Sequence, residues 1–144
     1  MSVEPRTMVL RYPSRLDVLA DAVESVEALV AQAEVSRDDA ENVAICASEL
    51  INNAMVHGNQ LDPAKEVKIR LEIADNWVRV NVSDDGTGFD PQQVPSPVEA
   101  GNLERESGRG IFICSQLMDS VEFQRTESGG MECSLFKRFD NSSS

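Results

Sequence analysis

Two runs of strictly alternating residues constrain the fold more than any other feature of the chain. Val67, Ile69, Leu71 and Ile73 alternate with Lys68, Arg70 and Glu72; after Asp75 and Asn76 the pattern resumes with Val78, Val80 and Val82 around Arg79 and Asn81. Successive side chains of a strand point to opposite faces, so each run has one apolar face and one wet face. Two such runs with a short polar link read as an antiparallel hairpin. Its apolar face needs a second layer to cover it.

The covering layer is legible as helices. Leu16, Leu19, Ala20, Val23, Val26, Leu29 and Val30 recur at helical spacing, predicting a helix to about residue 33 with Ser14 as its N-cap. Ser36, with Asp38 and Asp39 in the following turn, starts a second helix where acidic side chains favour the dipole. That helix buries Val43, Ala47, Leu50, Ile51 and Ala54 and stops near Gly58 and Asn59. A short strand is expected over residues 8–12, and a second hairpin over 121–125 and 131–139 around the turn at 128–130. A short helix carrying Ile111, Cys114, Leu117 and Met118 is expected to begin right after Gly108-Arg109-Gly110.

These elements predict an α+β two-layer sandwich, with helices on one face of a mainly antiparallel sheet. A single domain over residues 1–144 is expected, with a core of about 8–139 and a polar tail at 140–144. Residues 84–110 hold five glycines and three prolines with little periodicity. A loop so long in a compact domain is usually functional or mobile, so residues 90–107 are read as a lid.

Composition narrows the function classes. Thirteen Lys and Arg against 25 Asp and Glu leave a net charge of -12, a field that repels nucleic acid and anionic membrane surfaces. It does not exclude a nucleotide, since backbone N–H groups and a bound cation can overrule the global field locally. No apolar run is long enough to span a membrane, and Glu4 and Pro5 interrupt the start where a signal peptide would begin. A cytoplasmic location is expected. Cys46, Cys114 and Cys133 have no zinc or redox spacing, and their odd number argues against a disulfide framework. They are expected to be small buried thiols in a reducing compartment.

Three segments can carry chemistry. Glu49 and Asn53 lie four apart on the second helix and share a face, a stripe that His57 extends. An amide oxygen is a hard ligand suited to Mg²⁺, and a carboxylate beside it can orient or deprotonate a hydroxyl. Asp84, followed by Gly86 and Gly88, closes a strand; an aspartate there can accept from an exocyclic amine while the glycines let backbone approach a flat ligand. Gly108-Arg109-Gly110 at a helix start offers free N–H groups to an anion. Each alone suits a bland role as well: a solvated helix face, an ordinary turn, or a glycine placed for geometry.

Together and in this order the segments resemble the gyrase, heat-shock chaperone, histidine kinase and mismatch-repair ATPase superfamily, with its Bergerat-type ATP-binding fold. Glu49 to Asn53 matches the N box, Asp84-x-Gly86-x-Gly88 the G1 box and Gly108-x-Gly110 the G2 box. Asn53-Ala54-x-x-His57-Gly58, Gly108-Arg109-Gly110-Ile111-Phe112-Ile113 and Leu117-Met118-Asp119-Ser120-Val121 resemble the anti-sigma-factor serine kinases in particular. The resemblance implies ATP and Mg²⁺ as cofactors and a serine protein kinase activity. Glu49 would be the general base and Asn53 the Mg²⁺ ligand. Asp84 would read the adenine amine beside Gly86 and Gly88, and Gly108, Arg109 and Gly110 would close over the phosphates. The implied partners are a sigma factor, held inactive, and a small antagonist protein whose serine is phosphorylated; a homodimer is also implied.

One position departs from that pattern. The family often has Gly-Thr-Thr near the start of the last strand, where this chain has Gly130-Met131-Glu132. Glu132 either weakens nucleotide binding at that wall or points away on the other strand face. The alternatives are a nucleotide-binding, partner-switching module without phosphotransfer, and a detached histidine-kinase catalytic domain. A dimerising phospho-acceptor helix pair, which the latter would bring, is not legible. A gyrase- or mismatch-repair-type ATPase is not expected, since 144 residues leave no room for a transducer domain.

Overall fold

A computed structural model describes residues 5–32, 36–85, 106–127 and 129–139, with the backbone alone at 106–109. In chain order the elements are β1 (Arg6–Pro13), α1 (Leu16–Ala31), α2 (Arg37–Asn52), a π-helical segment (Asn53–Gly58), β2 (Glu66–Ile73), β3 (Trp77–Ser83), α3 (Glu106–Leu117), β4 (Ser120–Arg125) and β5 (Met131–Arg138). The strands form one sheet in the order β1-β2-β3-β5-β4, every neighbouring pair antiparallel. The three helices pack on it, as the alternating runs require.

Register explains how the core is filled. Met8, Leu71, Val80, Leu135 and Val121 line up across all five strands, and Leu10, Ile69, Val82, Cys133 and Phe123 form the next row. These rows meet the apolar stripes of the helices: Ala22, Val26 and Val30 from α1, and Val43, Cys46, Ala47, Leu50 and Ile51 from α2. On the other face Arg79 lies over the rings of Trp77 and Phe136, 5.6 and 5.1 Å from their centroids. Its guanidinium covers apolar area that the open sheet would otherwise expose. No helix among the described residues is long and apolar enough to cross a membrane.

Several local expectations are corrected. Ser36 caps α2 as expected, its hydroxyl accepting from the Asp39 N–H at 3.1 Å. Ser14 does not cap α1: Arg15 occupies that position, and Ser14 is fully buried, accepting from Asn59 Nδ2 at 2.7 Å. The second helix does not run as an α-helix to Gly58. It widens at Asn53 into the π-helical segment, whose exit bonds run from Asn59 N to Ala54 O and from Leu61 N to Met55 O. The turn that follows holds Gln60 and Leu61 at φ of 54° and 56°, a left-handed region that costs such residues about 1–2 kcal/mol each.

The last helix begins at Glu106, so Gly108-Arg109-Gly110 lies inside α3 rather than before it. The glycines read as a break because glycine weakens helices; the α2–α3 contact described below is what requires one here. The lid assigned to 90–107 falls outside the described residues except for its last two, which belong to α3. The tail at 140–144 lies outside them altogether.

The cysteines are also corrected. All three are buried, as expected, but Cys46 on α2 and Cys114 on α3 form a disulfide, and only Cys133 is free. Sixty-eight residues separate the pair. Helix packing alone brings them together, so their spacing carried no signal.

Asn59 closes the fold at one end. Its Nδ2 donates to Ser14 Oγ and to the Glu66 carbonyl at 3.1 Å, and its Oδ1 accepts from Asp85 N at 2.9 Å. One buried amide therefore ties the end of β1, the start of β2 and the exit of β3. Asn59→Ala leaves these partners without it, and the penalty for such groups is on the order of 1–3 kcal/mol each. The expected loss is about 3 kcal/mol, read as a lower urea midpoint at unchanged slope.

Candidate functional site

The two apolar rows of the sheet run out beneath the end of α2 and leave a small cleft, open to solvent. Its floor is Val82, Met131, Cys133 and Phe123, and its helical wall is Leu50, Asn53 and Ala54. Two polar side chains reach it, Asp84 and Asn53. A mostly apolar slot with two directional groups suits a flat ring that carries hydrogen-bonding edges.

Asp84 follows β3 directly and is only 5% exposed. Its N–H donates to the Met131 carbonyl at 2.9 Å, and its Oδ1 accepts from Met131 N at 3.1 Å. Backbone packs closely on both sides of it. A Cβ at Gly58 would overlap the Asp84 carboxylate, and one at Gly130 would overlap the Asp84 carbonyl. At the neighbouring turn Gly129 adopts a φ of 94°, where glycine is again required. The carboxylate is thus held rigidly at the cleft by the π-helical segment on one side and β5 on the other.

Asn53 is the first residue of the π-helical segment, and its Oδ1 is buried with no hydrogen-bond partner among the described residues. A buried carbonyl left without a donor costs about 1–3 kcal/mol. Such a group fits a ligand that brings a donor or a hard cation. No three His, Cys, Asp or Glu side chains among the described residues converge on a metal position. A divalent ion here would therefore draw most of its ligands from phosphate oxygens and water, the usual arrangement for Mg²⁺.

Glu49 lies one turn before Asn53, and its carboxylate sits against Gly110 of α3, where any Cβ would collide with it. The sequence-derived residues therefore form two linked groups: Asn53 with Asp84 at the cleft, and Glu49 with Gly110 at the α2–α3 contact. Gly108 and Arg109 are in the first turn of α3, where helical N–H groups lack intrahelical partners. Gly86 and Gly88 lie outside the described residues. His57, in the π-helical segment, is exposed.

The departure at Glu132 resolves by strand alternation. Met131 and Cys133 face the cleft, and Glu132 between them belongs to the opposite face. Burial, and secondarily the Glu132 charge, push the Cys133 thiol well above its usual range, so it forms part of the floor as a neutral group. Residues missed as site formers were Gly58, Gly130 and Asn59. In the sequence Gly58 stands within a motif and Gly130 beside a turn, and neither pattern points to Asp84.

Comparison with known proteins places this geometry. The family described as "Histidine kinase-like ATPase domain" matches residues 12–137. An anti-sigma F factor of Geobacillus stearothermophilus is 31% identical over 134 residues, covering 92% of each chain. One from Clostridium botulinum (strain Eklund 17B / Type B) is 29% identical over 136 residues, covering 92% of this chain and 94% of that protein. Among solved structures, the RsbU and RsbW domains of a Mycobacterium tuberculosis protein superpose with a TM-score of 0.66 at 15% identity, over 93% of this chain. The blue-light activated histidine kinase EL346 of Erythrobacter litoralis gives 0.60 at 17%, over 91% of this chain. This chain spans 32% of the first of those structures and 43% of the second, and at such identities the likeness concerns the fold. A family match over residues 12–137, nearly the whole folded core, establishes that the chain belongs to the histidine kinase-like ATPase domain family.

Proposed function

We propose that the cleft binds Mg-ATP and that the chain is a serine protein kinase acting as an anti-sigma factor. In this reading it holds a sigma factor inactive and phosphorylates a serine of a small antagonist protein. The observation that carries the nucleotide reading is the buried Asn53 Oδ1, without a partner among the described residues, set beside the rigid Asp84 carboxylate in an apolar slot. The name anti-sigma F factor borne by relatives of nearly equal length supports a sigma factor as the held partner. The serine acceptor, the antagonist and a homodimeric state rest on the family resemblance.

The roles follow from position. Asp84 accepts a hydrogen bond from the adenine amine, with the floor of Val82, Met131, Cys133 and Phe123 against the ring. Gly86 and Gly88 are assigned to the same wall. Asn53 offers its Oδ1 to Mg²⁺, which when bound neutralises charge on the phosphates. The first-turn N–H groups of α3 at Gly108 and Arg109 are assigned to the phosphate oxygens, and Gly110, one residue further into the helix, to seating the Glu49 carboxylate. Glu49 takes the proton of the incoming serine hydroxyl as that oxygen bonds to the terminal phosphorus and the bond to the ADP oxygen breaks. The rate gain then comes mainly from positioning and charge neutralisation. With Glu132 on the far face, no observation favours a module that binds nucleotide without transferring phosphate.

Asp84→Asn keeps an oxygen for the Met131 N–H but turns an amide N–H₂ toward the adenine amine, donor against donor. ATP affinity measured by calorimetry is expected to fall at least about tenfold, roughly 1.4 kcal/mol or more. Unchanged affinity would remove adenine recognition from Asp84.

Glu49→Gln keeps the shape and removes the basicity. Transfer of labelled phosphate to an antagonist serine is expected to drop by about 10²–10⁴, with ATP affinity changed by less than about tenfold. Asn53→Ala is expected to lose the Mg²⁺-dependent part of ATP binding together with turnover. Wild-type protein that binds ATP and antagonist yet transfers nothing would establish the non-catalytic alternative. Transfer to a histidine instead of a serine would establish the histidine-kinase one.

A further inference from the structure

The contact between α2 and α3 has two consecutive rungs. Residues three and four apart on a helix share a face, so Cys46 stands one turn before Glu49, and Cys114 one turn after Gly110. One rung is the Glu49 carboxylate against Gly110. The other is the Cys46–Cys114 disulfide, with Cα atoms 5.5 Å apart. Both cysteines are buried, at 0% and 1% exposure. The bridge therefore fixes the helix bearing Glu49 and Asn53 to the helix bearing Gly108, Arg109 and Gly110.

We propose that Cys46 and Cys114 form a reversible thiol–disulfide site whose closure clamps α3 onto α2 and slows nucleotide exchange at the adjoining cleft. The effect on exchange rests on the ATP reading above; the thiol chemistry does not. In the reduced chain α3 is held at this seam only by packing and can move relative to α2 beside the cleft. In the oxidised chain the Cys46–Cys114 rung is covalent, and Gly110 stays over Glu49.

Hydrogen peroxide serves as the two-electron oxidant. One cysteine thiolate attacks a peroxide oxygen, the O–O bond breaks, and a sulfenic acid forms with release of water once hydroxide takes a proton. The second thiolate attacks that sulfur, the S–O bond breaks, and a second water leaves. The two sulfurs are oxidised to the disulfide while peroxide is reduced to two waters. Because both thiols are buried, the reaction proceeds when the seam opens. Cys133, buried on β5 with its thiol pushed up by burial, stays a free thiol and serves as an internal reference.

The test uses the purified full chain, reduced with dithiothreitol or treated with stoichiometric hydrogen peroxide. Thiol titration in denaturant is expected to count three groups before oxidation and one after. A peptide joining Cys46 to Cys114 should appear, and dithiothreitol should reverse both changes. Closing a loop between residues separated by 68 positions should raise the melting temperature by roughly 5–10 °C. Dissociation of a fluorescent ATP analogue is expected to slow about tenfold on oxidation, and Cys114→Ala should abolish the response. Cys46→Ala serves the same purpose if Cys114→Ala does not fold. Three thiols after peroxide, or a bridge involving Cys133, overturns the site. A bridge that forms but leaves dissociation unchanged overturns the control of exchange. Failure of both redox states to bind nucleotide overturns the ATP reading and the claimed effect on exchange, while the thiol count and peptide map judge the bridge separately.

Discussion

The site depends on one close approach, the packing of backbone around Asp84. A carboxylate at 5% exposure among Val82, Met131 and Cys133 would be expensive to bury unless hydrogen-bonded. The Met131 N–H supplies such a bond, and the reciprocal bond from Asp84 N continues the β3–β5 ladder past its last paired residues. Gly58 and Gly130 make this possible, since a side chain on either would occupy space that Asp84 fills. The π-helical segment, the β4–β5 turn and the end of β3 thereby converge on a single side chain. Asn59, immediately after Gly58, secures the same corner from below through Ser14, Glu66 and Asp85. Position and direction of the carboxylate are set before any ligand arrives, the condition under which a polar group contributes most to recognition.

The helical wall is built on a different compromise. The π-helical segment leaves Asn53 at the cleft with its Oδ1 buried and without a partner among the described residues, while His57 lies in solvent. The local cost extends to the left-handed pair Gln60 and Leu61 that returns the chain to β2. Irregularities of this kind persist where surrounding structure over-determines them, and they cluster at functional sites. On the next helix Gly110 accepts a penalty of up to about 1 kcal/mol for glycine in a helix, and the gain is room for the Glu49 carboxylate.

The chain's acidity and its proposed anionic ligand are compatible because their scales differ. A net charge of -12 acts over the whole surface and is screened by salt beyond a Debye length. At the cleft the relevant groups are an amide oxygen, the hydrogen-bonded Asp84 carboxylate and apolar side chains. Glu132, the acidic residue that most threatened this picture, stands on the opposite face of β5.

Much of the architecture was legible in the sequence. The period-two runs from Val67 to Ile73 and from Val78 to Val82 determined a hairpin and its buried face. The spacing of Val43, Ala47, Leu50 and Ile51 determined the stripe that covers it. Both signals are local, since side-chain direction follows from backbone period within a few residues. The chemical residues Glu49, Asn53, Asp84 and Gly110 could also be read, because short motifs keep their order along the chain. What only the tertiary structure decided were the contacts between distant segments: Gly58 and Gly130 against Asp84, Asn59 bridging three strand ends, Glu49 against Gly110, and Cys46 joined to Cys114. Each depends on how helices and strands far apart in sequence pack at close range. A glycine or cysteine carries no local pattern to announce such a partner.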